Sequence, residues 1–254
     1  MEAAAETDSG RARHYQDFVQ IEMNYFVTGT DTGVGKTLIS CALLQGFAAQ
    51  GKRVVGMKPV AAGCDDDGQN EDALQLRATG NVAVGYGQIN PYCFVPAIAP
   101  HLAAQRAGVI MRFSRIAASY HELAAQADVV IVEGAGGLLV PLNAQQDSAD
   151  LAKELDLPVI LVAGMRLGCL NHALLTVEVI AARGLALAGW VANVVDTDMA
   201  SIEDNVAALR QRISAPLLGV VPFMTQPDAV AAAGYLDLDQ LYNNPVRGSQ
   251  GHPD

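Results

Sequence analysis

Short apolar runs rich in β-branched residues alternate with Ala- and Leu-rich stretches along most of the chain. Each change of period marks an expected element. Tyr25 to Thr28 predicts a strand bounded by Gly29, and Leu38 to Ala49 a helix stopped by Gly51. Arg53 to Met57 reads as a second strand, ending at Lys58-Pro59. Strand, helix and strand within about thirty residues form a βαβ unit, which implies a parallel sheet. Asn70-Glu71-Asp72 has the acidic character of a helix start, and Phe113 to Ala127 is helical in pattern. Val129-Val130-Ile131-Val132 is continuously β-branched, as in a strand buried on both faces, and leads to Glu133 and the glycine-rich turn Gly134 to Gly137. Further strands are expected at Leu157 to Ala163, Ala186 to Val195 and Pro216 to Pro222. Helices are expected from about His172 to Ala182 and from Met199 to Ile213. Ile89 to Pro100 is proline-rich and reads as irregular. The alternation predicts one doubly wound α/β domain of three layers over residues 23–241. Residues 1–22 are expected to be a loose polar extension, with Met23 a second candidate start, and residues 242–254 a disordered Gly- and Pro-containing tail.

The first strand opens the strongest motif, Gly29-Thr30-Asp31-Thr32-Gly33-Val34-Gly35-Lys36-Thr37. Strand, glycine loop and helix in this order expose backbone N–H groups as an anion cradle. Lys36 brings a positive charge to phosphate oxygens, and Thr37 a hydroxyl suited to Mg²⁺. The usual pattern is G-x-x-x-x-G-K-[ST]; here Thr30 stands where it wants Gly, and the first glycine comes one residue early. Glu133, at the end of a buried strand, matches the metal-coordinating acid of phosphate-loop NTPases. Lys58 lies at the carboxyl end of a strand, the edge where open α/β sheets bind ligands, though position alone also fits a capping lysine. Asp65 to Asp67 read as a solvated acidic loop, and His101 as a cap or packing residue.

Composition narrows the function classes. A net charge of −11 over 254 residues lacks the basic footprint of a nucleic-acid binder. No apolar run is long enough to span a bilayer, and the first 22 residues have no apolar signal region. Four scattered cysteines without a C-x-x-C pair suggest buried thiols in a reducing, cytoplasmic compartment, and no disulfide framework.

The chain resembles the dethiobiotin synthetases, ATP-dependent ring-closing enzymes of biotin synthesis. Carriers of the resemblance are the phosphate loop with its spacing, Lys58-Pro59-Val60, Asp72-Ala73-Leu74, Val132 to Gly137, Leu167 to His172 and Gly189-Trp190-Val191-Ala192-Asn193. It implies a homodimer with shared active sites and a seven-stranded, mostly parallel sheet. It further implies that diaminononanoate and CO₂ are joined with ATP and Mg²⁺ by way of a carbamate and a carbamic-phosphoric anhydride. Lys36 and Lys58 carry over as catalytic. Thr37, Asp72 and Glu133 carry over as metal ligands. Thr32 to Thr37, Glu133, Gly136, Asn193 and Pro222 carry over as nucleotide-binding, with Asn193 reading adenine. Lys58, Ala62 and the turn Gly168-Cys169-Leu170-Asn171 carry over to the substrate, the turn cradling its carboxylate from the neighbouring subunit. Gly33 stands where some relatives have an acid, Ala62 where some have a serine, and Val194 where an aspartate is common. Related cobyrinate synthetases carry a glutaminase domain, for which no room is expected after Leu241. Partitioning ATPases place a lysine five residues before the loop lysine, where this chain has Asp31.

Overall fold

The structure, a computed structural model, describes residues 23–243; the expected extension at 1–22 and the tail from residue 244 lie outside the described residues. In chain order the elements are β1 (Tyr25–Gly29), α1 (Lys36–Ala49), β2 (Val54–Met57), β3 (Val60–Ala62), α2 (Glu71–Thr79), α3 (Tyr86–Ile89), β4 (Tyr92–Phe94), α4 (Pro100–Arg106) and α5 (Phe113–Ala124). They continue with β5 (Val129–Gly137), α6 (Ser148–Glu154), β6 (Val159–Met165), α7 (Cys169–Ala182), β7 (Leu187–Val194), α8 (Ile202–Arg210), β8 (Leu217–Val221), α9 (Ala229–Ala233) and α10 (Asp239–Asn243). Tyr242, expected in the tail, belongs to α10: its ring meets Phe47 edge-on and its hydroxyl donates to Gln50 Oε1 at 2.7 Å.

The main sheet has six strands in the order β2-β5-β1-β6-β7-β8, all parallel. The expected seventh strand is absent from it among the described residues. Instead β3 and β4 form a separate parallel pair, with Val60 opposite Tyr92 and Ala62 opposite Phe94. Pro59, Pro91 and Pro96 flank these three-residue strands, and proline removes the donors that longer pairing needs.

Residues alternate between faces along each strand, so the sheet is lined on both sides. One face of β1, β5 and β6 (Tyr25, Val27, Ile131, Ile160) packs on Ile39, Leu43, Leu44 and Phe47 of α1. The other face (Phe26, Val130, Val132) meets Ile116, Tyr120 and Leu123 of α5 and Leu151 of α6. Farther along, Leu161, Ala163 and Trp190 meet Cys169 and Ala173 of α7 and Leu209 of α8. Three layers result, with the strand order reversing at β1. In such sheets the crevice outside the carboxyl ends at that reversal receives the ligand.

The cysteines correct the expectation of scattered thiols. Cys64 and Cys93 are joined in a disulfide, their Cα atoms 6.1 Å apart, while Cys41 and Cys169 are free and buried. Pairing of β3 with β4 places the turn after Ala62 over Phe94, whose carbonyl accepts from Cys64 N at 3.1 Å. Among the described residues no helix is long and apolar enough to cross a membrane.

Candidate active site

The phosphate loop leaves β1 by extending its pairing to β6. Thr30 N donates to Val162 O at 3.0 Å, and Gly164 N donates to Thr30 Oγ1 at 3.2 Å. That side-chain bond gives Thr30 a task a glycine could not perform. The glycine is needed one residue earlier, because a Cβ on Gly29 would lie 2.6 Å from Val34 Cγ2, and Val34 is fully buried under the loop. The early first glycine is therefore a packing requirement. Gly35 starts α1 with φ of 84°, a left-handed conformation open to glycine at no steric cost.

Asn193, in β7, donates from Nδ2 to Val34 O at 2.9 Å, and a Cβ on Gly35 would fall 2.2 Å from that same nitrogen. The residue expected to read adenine thus also props the loop from beneath. Pro222 follows Val221, the strand partner of Asn193, and is exposed at the same edge. Gly136 sits across from the loop, with Thr32 Oγ1 3.4 Å from where its Cβ would stand. β5 does not stop at Glu133, as the sequence suggested, but continues through Gly137, which pairs with Gly29.

Four segments bring their polar groups to one point. Thr37, in the first turn of α1, donates its hydroxyl to Glu133 Oε1 at 2.9 Å. Lys58 Nζ donates to the same oxygen at 2.6 Å and to Asp72 Oδ2 at 2.9 Å. Glu133 is wholly buried, and its Oε2 has no hydrogen-bond partner. The backbone of Lys58 is fixed from both sides. Its N–H donates to Ile89 O at 2.9 Å, and its carbonyl accepts from Asn90 Nδ2 at 2.6 Å. Asp72 is set by its helix start: Asn70 caps α2, its Oδ1 accepting from Ala73 N, and Tyr86 Oη accepts from Asn70 N at 2.8 Å. Lys36 Nζ folds back on the loop to donate to Asp31 O at 3.0 Å.

Burial works to lower the Lys58 pKa, but the carboxylates of Glu133 and Asp72 outweigh it and hold its ammonium above the ordinary lysine value. Asp72 is the converse: burial favours its neutral form, yet Lys58 holds its carboxyl below the usual range. Lys36 lacks a carboxylate at bonding distance. Burial, and next the repulsion of Lys58, push it down to about 8 from 10.5. The unfolded chain therefore binds more protons than the folded one between those values, so this group makes stability rise with pH. Without nucleotide, the unfolding free energy of the wild type minus that of Lys36→Met is expected to rise from pH 8 to pH 10 in urea titrations. A flat difference would place the ammonium in water.

Ala62 is half-buried on β3. The turn Gly168 to Asn171 opens α7 but makes no described hydrogen bond to the Thr37, Lys58, Asp72 and Glu133 group within one chain. Cys169 is buried there, whereas Gly168 and Asn171 are exposed. Sequence reasoning missed Arg166, which pairs with Asp31 at the edge of the loop. Its available signal was a basic residue directly after a buried strand, at the ligand edge.

Residues 23–231 match the protein family described as an AAA domain. The ATP-dependent dethiobiotin synthetase of Nitrosospira multiformis is 54% identical over 217 residues, covering 85% of this chain and 96% of that protein. That of Ralstonia nicotianae is 50% identical over 224 residues, covering 87% and 98%. Among solved structures, the MinC:MinD cell division complex of Aquifex aeolicus matches with a TM-score of 0.51 at 15% identity, covering 87% of this chain and 95% of that one. At that identity the likeness is one of fold. Matched at half or more of the aligned positions over nearly the full length of these relatives, the chain belongs to the family of ATP-dependent dethiobiotin synthetases.

Proposed function

We propose that the chain closes diaminononanoate and CO₂ into the cyclic urea of dethiobiotin with ATP, and that the residues gathered at the carboxyl edge of the sheet carry the chemistry. The supporting observation is the convergence of Thr37, Lys58, Asp72 and Glu133 beside a phosphate loop whose Lys36 is buried and cationic at neutral pH. Two anions must meet in this reaction, the carbamate on the 7-amino group and the γ-phosphate of ATP. Lys36 and Lys58 neutralise both, in a site where water screens little. The carbamate oxygen takes the γ-phosphoryl group, releasing ADP. The second amine then attacks the carbamoyl carbon and expels phosphate, and the ring closes.

Loop amides from Thr32 to Thr37 hold the phosphates, with Gly136 opposite them. Asn193 keeps its Oδ1 and second Nδ2 hydrogen for adenine, beside Pro222. Thr37, Asp72 and Glu133 would hold Mg²⁺, and the unpartnered, buried Oε2 of Glu133 fits such a cation. When bound, the ion screens the charge that develops during phosphoryl transfer. Glu133→Gln is expected to need several-fold more Mg²⁺ for half-maximal rate, and EDTA to stop turnover. An unchanged Mg²⁺ dependence would remove Glu133 from the metal site.

A homodimer is part of the proposal. α7 is strongly apolar but buries only Cys169, Ala173 and Ile180, while Leu167 is 94% exposed and Leu175 57%. A partner packed there would bring Gly168 to Asn171 to the neighbouring site, where the helix start cradles the substrate carboxylate and Ala62 and Lys58 face the amines. The reaction and its substrates suit a cytoplasmic enzyme. Incubation with ATP, Mg²⁺, bicarbonate and diaminononanoate should yield the cyclic urea, read by mass spectrometry. ATP hydrolysis without urea would overturn the assignment.

A further inference from the structure

A loop built to receive a polyanion contains a carboxylate of its own. Asp31 lies five residues before Lys36, and one of its oxygens accepts from Thr32 N at 2.7 Å, which fixes the carboxylate within the loop. Its other oxygen pairs with the guanidinium of Arg166, just past the end of β6. Two further bonds extend from this pair. The Asp31 carbonyl accepts from Lys36 Nζ at 3.0 Å, and the Arg166 carbonyl accepts from the N–H of Cys169, the first residue of α7, at 3.0 Å. Arg166 therefore stands between the phosphate loop and the helix start that follows it. The side chains of Arg166 and Asp31 are 40% and 48% exposed, so the pair adds little to folding stability. What it changes is the charge that the loop presents to a ligand.

We propose that Arg166 is a positioning residue for the nucleotide. It cancels the Asp31 carboxylate so that the loop accepts a triphosphate, and it keeps the loop in register with the start of α7. The inference rests on the reading of this loop as the ATP site. Arg166 acts through Asp31 and does not itself touch the phosphates.

The test compares wild type, Arg166→Lys, Arg166→Met, Asp31→Asn and the double variant Arg166→Met with Asp31→Asn. Each is titrated calorimetrically with a non-hydrolysable ATP analogue and Mg²⁺, and KM and kcat for ATP are measured alongside. Arg166→Met is expected to weaken the analogue about tenfold and to raise KM for ATP by a similar factor, with kcat changed less, because an uncancelled carboxylate repels the phosphates. Arg166→Lys, which keeps the charge, should stay close to wild type. The double variant should return to within about threefold of wild type, since the repelling charge leaves together with its counter-charge. If Arg166→Met binds as well as wild type, the inference is wrong. If the double variant is as weak as Arg166→Met, Arg166 contacts the ligand directly or supports the loop sterically, and charge cancellation is overturned. Should wild type itself fail to bind the analogue, the ATP reading of the loop fails, and this inference with it.

Discussion

Replacing Lys36 with alanine is expected to lower kcat on the order of 10³-fold or more, because in the proposed reaction it deletes a charge that neutralises the transferring phosphoryl group. Thermal stability at neutral pH should not fall below that of wild type, since folding buries the ammonium at a cost. In the free protein the Lys36 ammonium is buried, and its hydrogen bond is to a single loop carbonyl, Asp31 O. Burial has already shifted its pKa down to about 8, so folding gains nothing from the charge. Single-turnover assays with saturating ATP separate the loss of chemistry from any loss of binding. Turnover at the wild-type rate would remove Lys36 from the reaction.

Lys58→Ala should be severe in a different way. Glu133 is 0% exposed, and Lys58 is its cationic partner at 2.6 Å. Removing one member of a buried pair leaves the other charge uncompensated, which costs about 3–5 kcal/mol. The urea midpoint is expected to fall accordingly, and activity to vanish. Combining Lys58→Met with Glu133→Gln removes both charges and should recover most of the stability but none of the activity. A midpoint unchanged by Lys58→Ala would mean that water reaches Glu133 in solution. Lys36 and Lys58 thus separate by their surroundings. In the proposed reaction both meet the ligand, but only Lys58 also compensates a buried carboxylate of the protein.

Much of this was legible because local chemistry announced it. A continuous β-branched run located β5, an apolar run located β6, and glycines with Gly35-Lys36-Thr37 located the loop. The acidic character of Asn70-Glu71-Asp72 marked a helix start, and α2 begins at Glu71 with Asn70 as its cap. What escaped notice depends on pairings distant in sequence. Arg166 meets Asp31 across 135 residues, with no local pattern to betray the partner. Cys64 and Cys93 are neighbours only because β3 pairs with β4, and those three-residue strands are too short to show a period. α6 did leave a signal that was passed over. Asp147 caps it through Ala149 N and Asp150 N, while Asp150 returns a bond to Asp147 N, and Arg183 pairs with both acids. The six-strand count differs from the seven that the resemblance implied because β3 and β4 lie apart from the main sheet.

The bond from Asn193 to Val34 O carries a consequence for how such an enzyme could change over evolutionary time. If the proposed contact with adenine holds, one amide both braces the phosphate loop and faces the base, so a mutation there alters two traits at once. A variant with a new base preference at Asn193 would inherit a loosened loop, and selection would see the damage before the novelty. Drift in nucleotide choice is therefore channelled to neighbours such as Val194 and Pro222, which have no part in the bond to Val34. Directed evolution for GTP or CTP use should find its first gains at those positions, with Asn193 left untouched.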